Sequence, residues 1–279
     1  MEDCKLSDVL VVFGSSSDSA VYSKIMQGLK DKGISAEMRI CSAHRTPKKI
    51  DEIVEKSSAR LFVAGAGLSA ALPGAIASKT VKPVIGVPVS GNYAGLDALL
   101  SVAQMPSGFP VITVGVDCAE NAVSLVQLAL QEHHLVKVIG NKYSKTVKER
   151  IDKAGAIAGE LGLHFEFIES IEGNKFDPNQ EVLVNVVELS RFSPIRMANA
   201  LVLNVPILRE SGTPEALEFF EKSQTGVWLG LNRVDNAMIA AAQLLNIHSG
   251  KFDEKIAAFR NSLHEKACKA DAEEKEKFR

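Results

Sequence analysis

Three short polar turns carry the residues best suited to chemistry. The first, Gly14-Ser15-Ser16-Ser17-Asp18, is small and hydroxyl-rich and joins an apolar β-branched run to an amphipathic stretch. Backbone N–H groups and the helix dipole favour an anion at such a turn, and serine hydroxyls add donors without bulk, so a phosphate fits there. The plainer alternative is that Ser17 or Asp18 only caps the helix. The second turn, Ser42-Ala43-His44-Arg45-Thr46-Pro47, places His44 and Arg45 just before a helix with Thr46 as its N-cap and Pro47 as its first residue. Arg45 can add charge-assisted bonds to a phosphate. Its charge and the helix start both favour the neutral imidazole of His44, which can then take a proton. A His-Arg pair by itself is more often a surface feature, yet two polar turns on neighbouring strands at one sheet edge point to a site. The third turn, Ala64 through Gly74, is nearly free of side chains. Glycines such as Gly65 and Gly67 would let backbone N–H groups approach a flat ligand, while close helix-on-sheet packing is the structural alternative.

The elements that must hold these turns follow from the apolar rhythm. Strands are expected at Val9–Phe13, Ala36–Cys41, Arg60–Ala64, Pro83–Val87 and Pro110–Val114, with helices near 18–32, 47–57, 70–79, 94–104 and 119–131. Strands alternating with helices make a parallel sheet, and ligands bind outside the carboxyl ends of its strands. Gly91–Asp97 and Gln104–Gly108 are then expected to form a rim or lid on that edge.

The rhythm restarts after Glu132-His133-His134. Val136–Gly140 echoes Val11–Gly14, Asn204-Val205-Pro206 echoes Gly86-Val87-Pro88, and Leu229-Gly230-Leu231 echoes Val114-Gly115-Val116. Spacing between the copies narrows along the chain, so shorter loops are expected in the second. This reading gives an α/β protein with two tandem three-layer domains of parallel sheet, at 1–132 and 133–250, and a long C-terminal helix at 251–279. Ile256, Phe259, Leu263 and Ala267 form that helix's apolar stripe. The helix either lies in solvent or reaches a neighbouring subunit.

Composition bounds the function. Of 279 residues 46% are hydrophobic and 24% charged, as in ordinary globular chains, so disordered and disulfide-dense classes are set aside. Lys+Arg 32 against Asp+Glu 34 leaves a formal charge of −2 and no basic field for a nucleic acid. No apolar run reaches the roughly 18 residues of a membrane span, and the expectation is a cytoplasmic protein. Cys4, Cys41, Cys118 and Cys268 are scattered, without CxxC or a nearby His at ligand spacing, so reduced thiols and no metal site are expected. His133, His134, His164, His248 and His264 read as structural or surface residues, and Trp228 as core packing.

GSSSD at 14–18, SAHRTP at 42–47, ALPG at 71–74, PVIGVPV at 83–89, GLDALLS at 95–101 and QMPSG at 104–108 together resemble the PurE family, over about residues 6 to 131. The resemblance implies a flavodoxin-like fold, no cofactor, and formation of 4-carboxy-5-aminoimidazole ribonucleotide in purine biosynthesis by an octamer. It also implies that Ser15, Ser17 and Arg45 hold the 5′-phosphate, that Asp18 bonds the ribose, and that Ser42, Ala43 and the backbone of Gly65, Ala66 and Gly67 face the aminoimidazole. His44 then matches the catalytic histidine, the base that removes the proton from carbon 4 after that carbon attacks CO₂.

Two branches of the family differ in carboxyl source, the mutase starting from N5-carboxyaminoimidazole ribonucleotide and the carboxylase from aminoimidazole ribonucleotide with CO₂. Mutase-type members usually read AAHLPG where this chain has Ser69-Ala70-Ala71-Leu72-Pro73-Gly74, so Ala71 replaces a histidine. The retained LPG and QMP segments favour the mutase, and Ala71 favours the carboxylase. The second half resembles the same fold with its site erased, with Gly140-Asn141-Lys142-Tyr143-Ser144, Ser170–Asn174 and Glu188–Pro194 at the three turns. Duplication followed by decay then implies a homotetramer of two-domain chains. A noncatalytic nucleotide-binding or scaffold subunit is the alternative from another class.

Overall fold

The first strand shows how burial selects the architecture. Val9–Phe13 (β1) is buried along its whole length, with Val9, Val11 and Phe13 packed into one core and Leu10 and Val12 into another. A strand apolar on both faces needs cover on both faces, and crossover helices provide it. In the computed structural model, which describes residues 7–173, 175–195, 197–209 and 212–278, the first half has five parallel strands in the order β2-β1-β3-β4-β5. The others are Ala36–Ile40 (β2), Leu61–Ala66 (β3), Val84–Pro88 (β4) and Ile112–Thr113 (β5). This is the flavodoxin-like doubly wound order, whose switch point lies between β1 and β3.

Ser19–Asp31 (α1) and Ala119–Ala129 (α5) cover one face; Pro47–Glu55 (α2), Leu72–Ala77 (α3) and Leu96–Ala103 (α4) cover the other. Helical spacing explains the choice of face: α1 buries Val21, Ile25 and Leu29, four residues apart.

The second half has four parallel strands, Leu135–Gly140 (β6), Phe165–Ile168 (β7), Glu181–Glu188 (β8) and Leu201–Ile207 (β9), in the order β7-β6-β8-β9. Lys145–Leu161 (α6) and Val234–Asn246 (α8) join the main core, and Thr213–Ser223 (α7) packs beside α4. Most of the expected third layer is missing here among the described residues, α7 being the helix on the α4 side. Among the described residues β7 passes to β8 without a helix, and β8 reaches β9 through one 3₁₀ turn at Leu189–Arg191. Among the described residues no helices like α2 and α3 stand between β7 and β9, and the connections there are shorter than those between β2 and β4. Partly exposed Ile171, Ile195 and Met197, with buried Phe176, pack from the connections onto that face instead.

Trp228 joins the two sheets. Its backbone N donates to Thr113 O and its O accepts from Thr113 N, both at 2.8 Å, while its neighbours Val227 and Leu229 bond with Asn204 of β9 at 2.9 Å. Its fully buried ring meets Phe192 at 4.4 Å and Phe219 at 5.5 Å, and its Nε1 donates to Thr225 O at 2.9 Å. Asp253–Lys277 (α9) is the expected long helix, with Ile256 and Arg260 buried and its distal half exposed. No helix among the described residues is long and apolar enough to cross a membrane.

Candidate active site

Parallel strands aim all their carboxyl ends at one edge, so the loops after β1, β2, β3 and β4 meet there. They line a cleft of about 510 Å³. Gly14, Ser15, Ser17 and Asp18 come from the first loop, Ser42 to Arg45 from the second, Ala66 to Ser69, Ala71 and Leu72 from the third, and Ser90 and Gly91 from the fourth.

The first loop is a 3₁₀ turn at Ser16–Asp18, and Ser15 caps it by accepting from Ser17 N at 3.2 Å. The Ser17 hydroxyl bonds with Ser15 Oγ at 2.8 Å and donates to Asp18 Oδ1 at 3.0 Å. Asp18 sits at the N-cap of α1 but makes no side-chain cap bond, which leaves its carboxylate for other partners. Burial pushes the Asp18 carboxyl above the usual carboxylate range; the Ser17 bond opposes the shift and the charge of Asp117 adds to it.

In the second loop Thr46 turns back instead of capping α2, donating to Ser42 O at 3.1 Å and accepting from Ser42 N at 3.0 Å. Ser42 Oγ in turn accepts from Arg45 N at 3.2 Å. This ring of bonds fixes the turn while His44 and Arg45 stay exposed on the cleft.

The third loop is where two expectations change. Gly65 does not line the cleft: a Cβ there would lie 2.1 Å from the Phe13 ring, so its bare backbone makes room for Phe13, and its O accepts from Gly14 N at 3.0 Å. Ala66 and Gly67 do line it. A Cβ on Gly67 would meet Val89 O at 3.3 Å. Gln104–Gly108 is no rim either. It follows a helix and precedes a strand, which in a parallel sheet puts it at the opposite edge. The 91–97 loop does reach the rim, with Gly91 lining the cleft and Tyr93 80% exposed.

Sequence reasoning passed over Asp117. It follows β5 with a left-handed backbone (φ 57°), donates its N to Pro88 O at 2.9 Å and accepts from Ser90 N on Oδ1 at 2.9 Å, so it holds the fourth loop against the cleft. An acidic residue closing a strand-to-helix turn was the available signal. Leu68 of the third loop also lines the cleft and is 74% exposed.

The turns of the second half hold different chemistry. Ser144 Oγ donates to Glu188 Oε1 at 2.8 Å, Glu188 pairs with Arg191 at 3.2 Å, Lys142 pairs with Glu169, and β8 contains no glycine. Four of the other histidines, 133, 134, 164 and 248, line one cavity of about 190 Å³ walled by residues 132–134, 162–164 and 245–252. Among the described residues no group of three His, Cys, Asp or Glu is placed to hold a metal ion. Cys41, Cys118 and Cys268 are free thiols, and Cys4 lies outside the described residues.

Residues 8–149, which carry the whole cleft, match the family model described as AIR carboxylase. The chain belongs to the AIR carboxylase family. Curated relatives of this family include the N5-carboxyaminoimidazole ribonucleotide mutase of Methanocaldococcus jannaschii, 46% identical over 145 residues, 51% of this chain and 92% of the relative. That of Saccharolobus solfataricus is 42% identical over 149 residues, 52% of this chain and 88% of the relative. A probable mutase of Methanobrevibacter smithii is 36% identical over 199 residues, 64% of this chain and 58% of the relative. Among solved structures, Treponema denticola PurE is 32% identical, covering 42% of this chain and 75% of that one with a TM-score of 0.38.

Proposed function

We propose that the chain makes 4-carboxy-5-aminoimidazole ribonucleotide by the mutase reaction. The observation that carries this reading is the cleft itself, in which hydroxyls, a carboxylate, an arginine and a histidine meet a floor of small residues, in a chain whose relatives bear the mutase name.

Ser15, Ser17 and Arg45 hold the 5′-phosphate through charge-assisted and hydroxyl bonds. Asp18 accepts from the ribose hydroxyls, while Ser42, Ala43, Ala66 and Gly67 bound the imidazole. In the reaction the bond from N5 to the carboxyl carbon breaks, CO₂ is freed and N5 takes a proton from solvent. Carbon 4 then attacks CO₂ and gives its proton to neutral His44, which returns it to solvent, so atoms and charge balance over the cycle. General base catalysis of this kind contributes about 10²–10⁴-fold. A small-residue floor keeps water from competing with CO₂.

Residues 1–132 form the catalytic unit in this reading. Residues 133–250 are a decayed copy with the same strand order, and 251–279 a closing helix. The loss of the helices that would follow β7 and β8 supports decay, since in the first half α2 and α3 present the second and third turns. Two-domain chains would assemble as a tetramer resembling the family octamer, in the cytoplasm, and a stable monomer by mass measurement would overturn that arrangement.

One observation favours a second reading. Ala71 lines the cleft at the position where the family resemblance implies a histidine in mutase-type members, which suits direct carboxylation of aminoimidazole ribonucleotide. An ultraviolet assay for the product decides, run separately with N5-carboxyaminoimidazole ribonucleotide and with aminoimidazole ribonucleotide plus bicarbonate. Product from the first alone establishes the mutase, and product from the second at low bicarbonate establishes the carboxylase. If neither reacts, the catalytic reading falls.

A further inference from the structure

The second half grips the first at the edge opposite the cleft. Asn236 of α8 is buried, accepts from Gly108 N at 3.0 Å on its Oδ1, and donates from Nδ2 to Pro106 O at 2.9 Å and Met105 O at 3.3 Å. Arg260 of α9 donates Nε to Gly108 O at 2.9 Å and Nη1 to Thr80 O, and its guanidinium lies 4.8 Å from the centre of the Phe109 ring. Gln243 of α8 donates to Val81 O at 2.9 Å. Two segments of the first half are thereby held: the turn that follows α3 and the 104–108 loop.

Both segments bear on α3. Thr80 and Val81 lie just past its C-terminal end. Met105 presses on Gly74 within it, so closely that a Cβ on Gly74 would sit 3.0 Å from Met105 Sδ. Its N-terminal end is Leu72, preceded by Ala71, and both line the cleft. A helix of six residues transmits a displacement at one end to the other with little loss, because its backbone bonds make it a single rigid turn and a half. Burying a guanidinium is costly, and desolvation pushes Arg260 down to about 10. So buried a cation at a junction needs the carbonyls it meets there, and those carbonyls need a donor once covered.

We propose that Asn236 and Arg260 are positioning residues for the reaction, through which the noncatalytic half sets the placement of α3 and so of the Ala71–Leu72 wall of the cleft. This rests on the catalytic reading above. It assigns the second half a task in the same chain and explains why its α8 and α9 persist while its own turns have lost their chemistry. The phosphate-holding residues stand on other loops, so loosening the clamp should lower turnover more than it weakens substrate binding.

The test uses full-length Asn236→Ala, Arg260→Met and Arg260→Lys, with Val138→Ala as a variant that thins the buried core of the second sheet without touching the clamp. Each is assayed well below its unfolding transition. Asn236→Ala and Arg260→Met should lower kcat about tenfold with KM within about twofold, a range set by how steeply rate depends on small misplacements. Arg260→Lys should recover part of the loss, and Val138→Ala should lower the melting temperature with kcat unchanged. Wild-type kcat in folded Arg260→Met and Asn236→Ala, or an equal loss in Val138→Ala, overturns the proposal. If the wild type converts neither substrate, the catalytic reading has failed, and hydrogen exchange judges the clamp alone. Faster exchange at 72–80 in Arg260→Met than in Val138→Ala supports it, and equal exchange overturns it.

Discussion

Arg45 Nη2 donates to the carbonyl oxygen of Gly14 at 3.2 Å, tying the second polar turn to the first across the strand order β2-β1. One of its donors is thus spent on the protein, which holds the guanidinium beside Gly14 at the start of the serine turn. Arg45→Ala should therefore weaken binding of a ribonucleotide monophosphate by about 10–100-fold, the value of a charge-assisted contact. Calorimetric titration with ligands that do and do not carry the phosphate checks it; an equal loss for both would remove the phosphate role.

His44 is held on the cleft by a turn whose bonds run through Ser42, Arg45 and Thr46, not through its own ring. His44→Asn should leave that turn intact. Turnover should drop by about 10²–10⁴-fold with phosphate-ester affinity retained. Single-turnover rates on a saturated complex separate the two quantities, and unchanged turnover would take His44 out of the mechanism.

Gly65→Ala should destabilise the fold by about 1–3 kcal/mol, as overpacking does, because the added methyl meets the buried ring of Phe13. Urea unfolding measures this. A neutral effect would mean the Phe13 ring can move aside, and with it the floor under Gly14.

Trp228→Ala removes a ring enclosed by Phe192 and Phe219 and should cost about 3–5 kcal/mol. Since Trp228 also carries the backbone link between the sheets, its loss should split one unfolding transition into two in calorimetry. A single transition would show that α8, packed between the halves, couples them without it.

His133 is buried, its Nε2 donates to Leu128 O at 2.9 Å, and its Nδ1 has no partner among the described residues. Burial lowers its affinity for a proton below the ordinary value of 6.5; His134 and His248 act in the same direction, and the Leu128 bond opposes them. The folded value is therefore below the unfolded one. As pH falls through about 6.5 the unfolded chain takes the proton first, so stability declines toward acid. His133→Gln should flatten the slope of unfolding free energy between pH 6.5 and 5, measured by denaturant titration at each pH. A slope as steep as that of the wild type would assign the acid sensitivity to another group.

Strand and helix positions in the first half were legible because β-branched runs such as Val9–Phe13 and four-residue spacings such as Val21, Ile25 and Leu29 follow directly from which atoms leave water. The cleft was legible for a related reason: in a parallel sheet every strand ends at one edge, so the polar residues after β1 and β2 must meet. Echoing strands imply a three-layered second half, but an echo in strands says nothing of the helices between them, and two of those are absent among the described residues.

Chain order and chemistry therefore determined by themselves the parallel sheet, the edge at which its strands end and the meeting there of Ser15, Ser17, Asp18, Ser42, His44 and Arg45 in one cleft. Only the tertiary structure decided that Gly65 serves Phe13, that Asp117 holds the fourth loop, that Gln104–Gly108 lies at the far edge, and that Asn236 and Arg260 grip it. Each of these is a contact between residues distant in sequence. Such a contact depends on which surfaces are pressed together once the core has formed, and no local spacing encodes that.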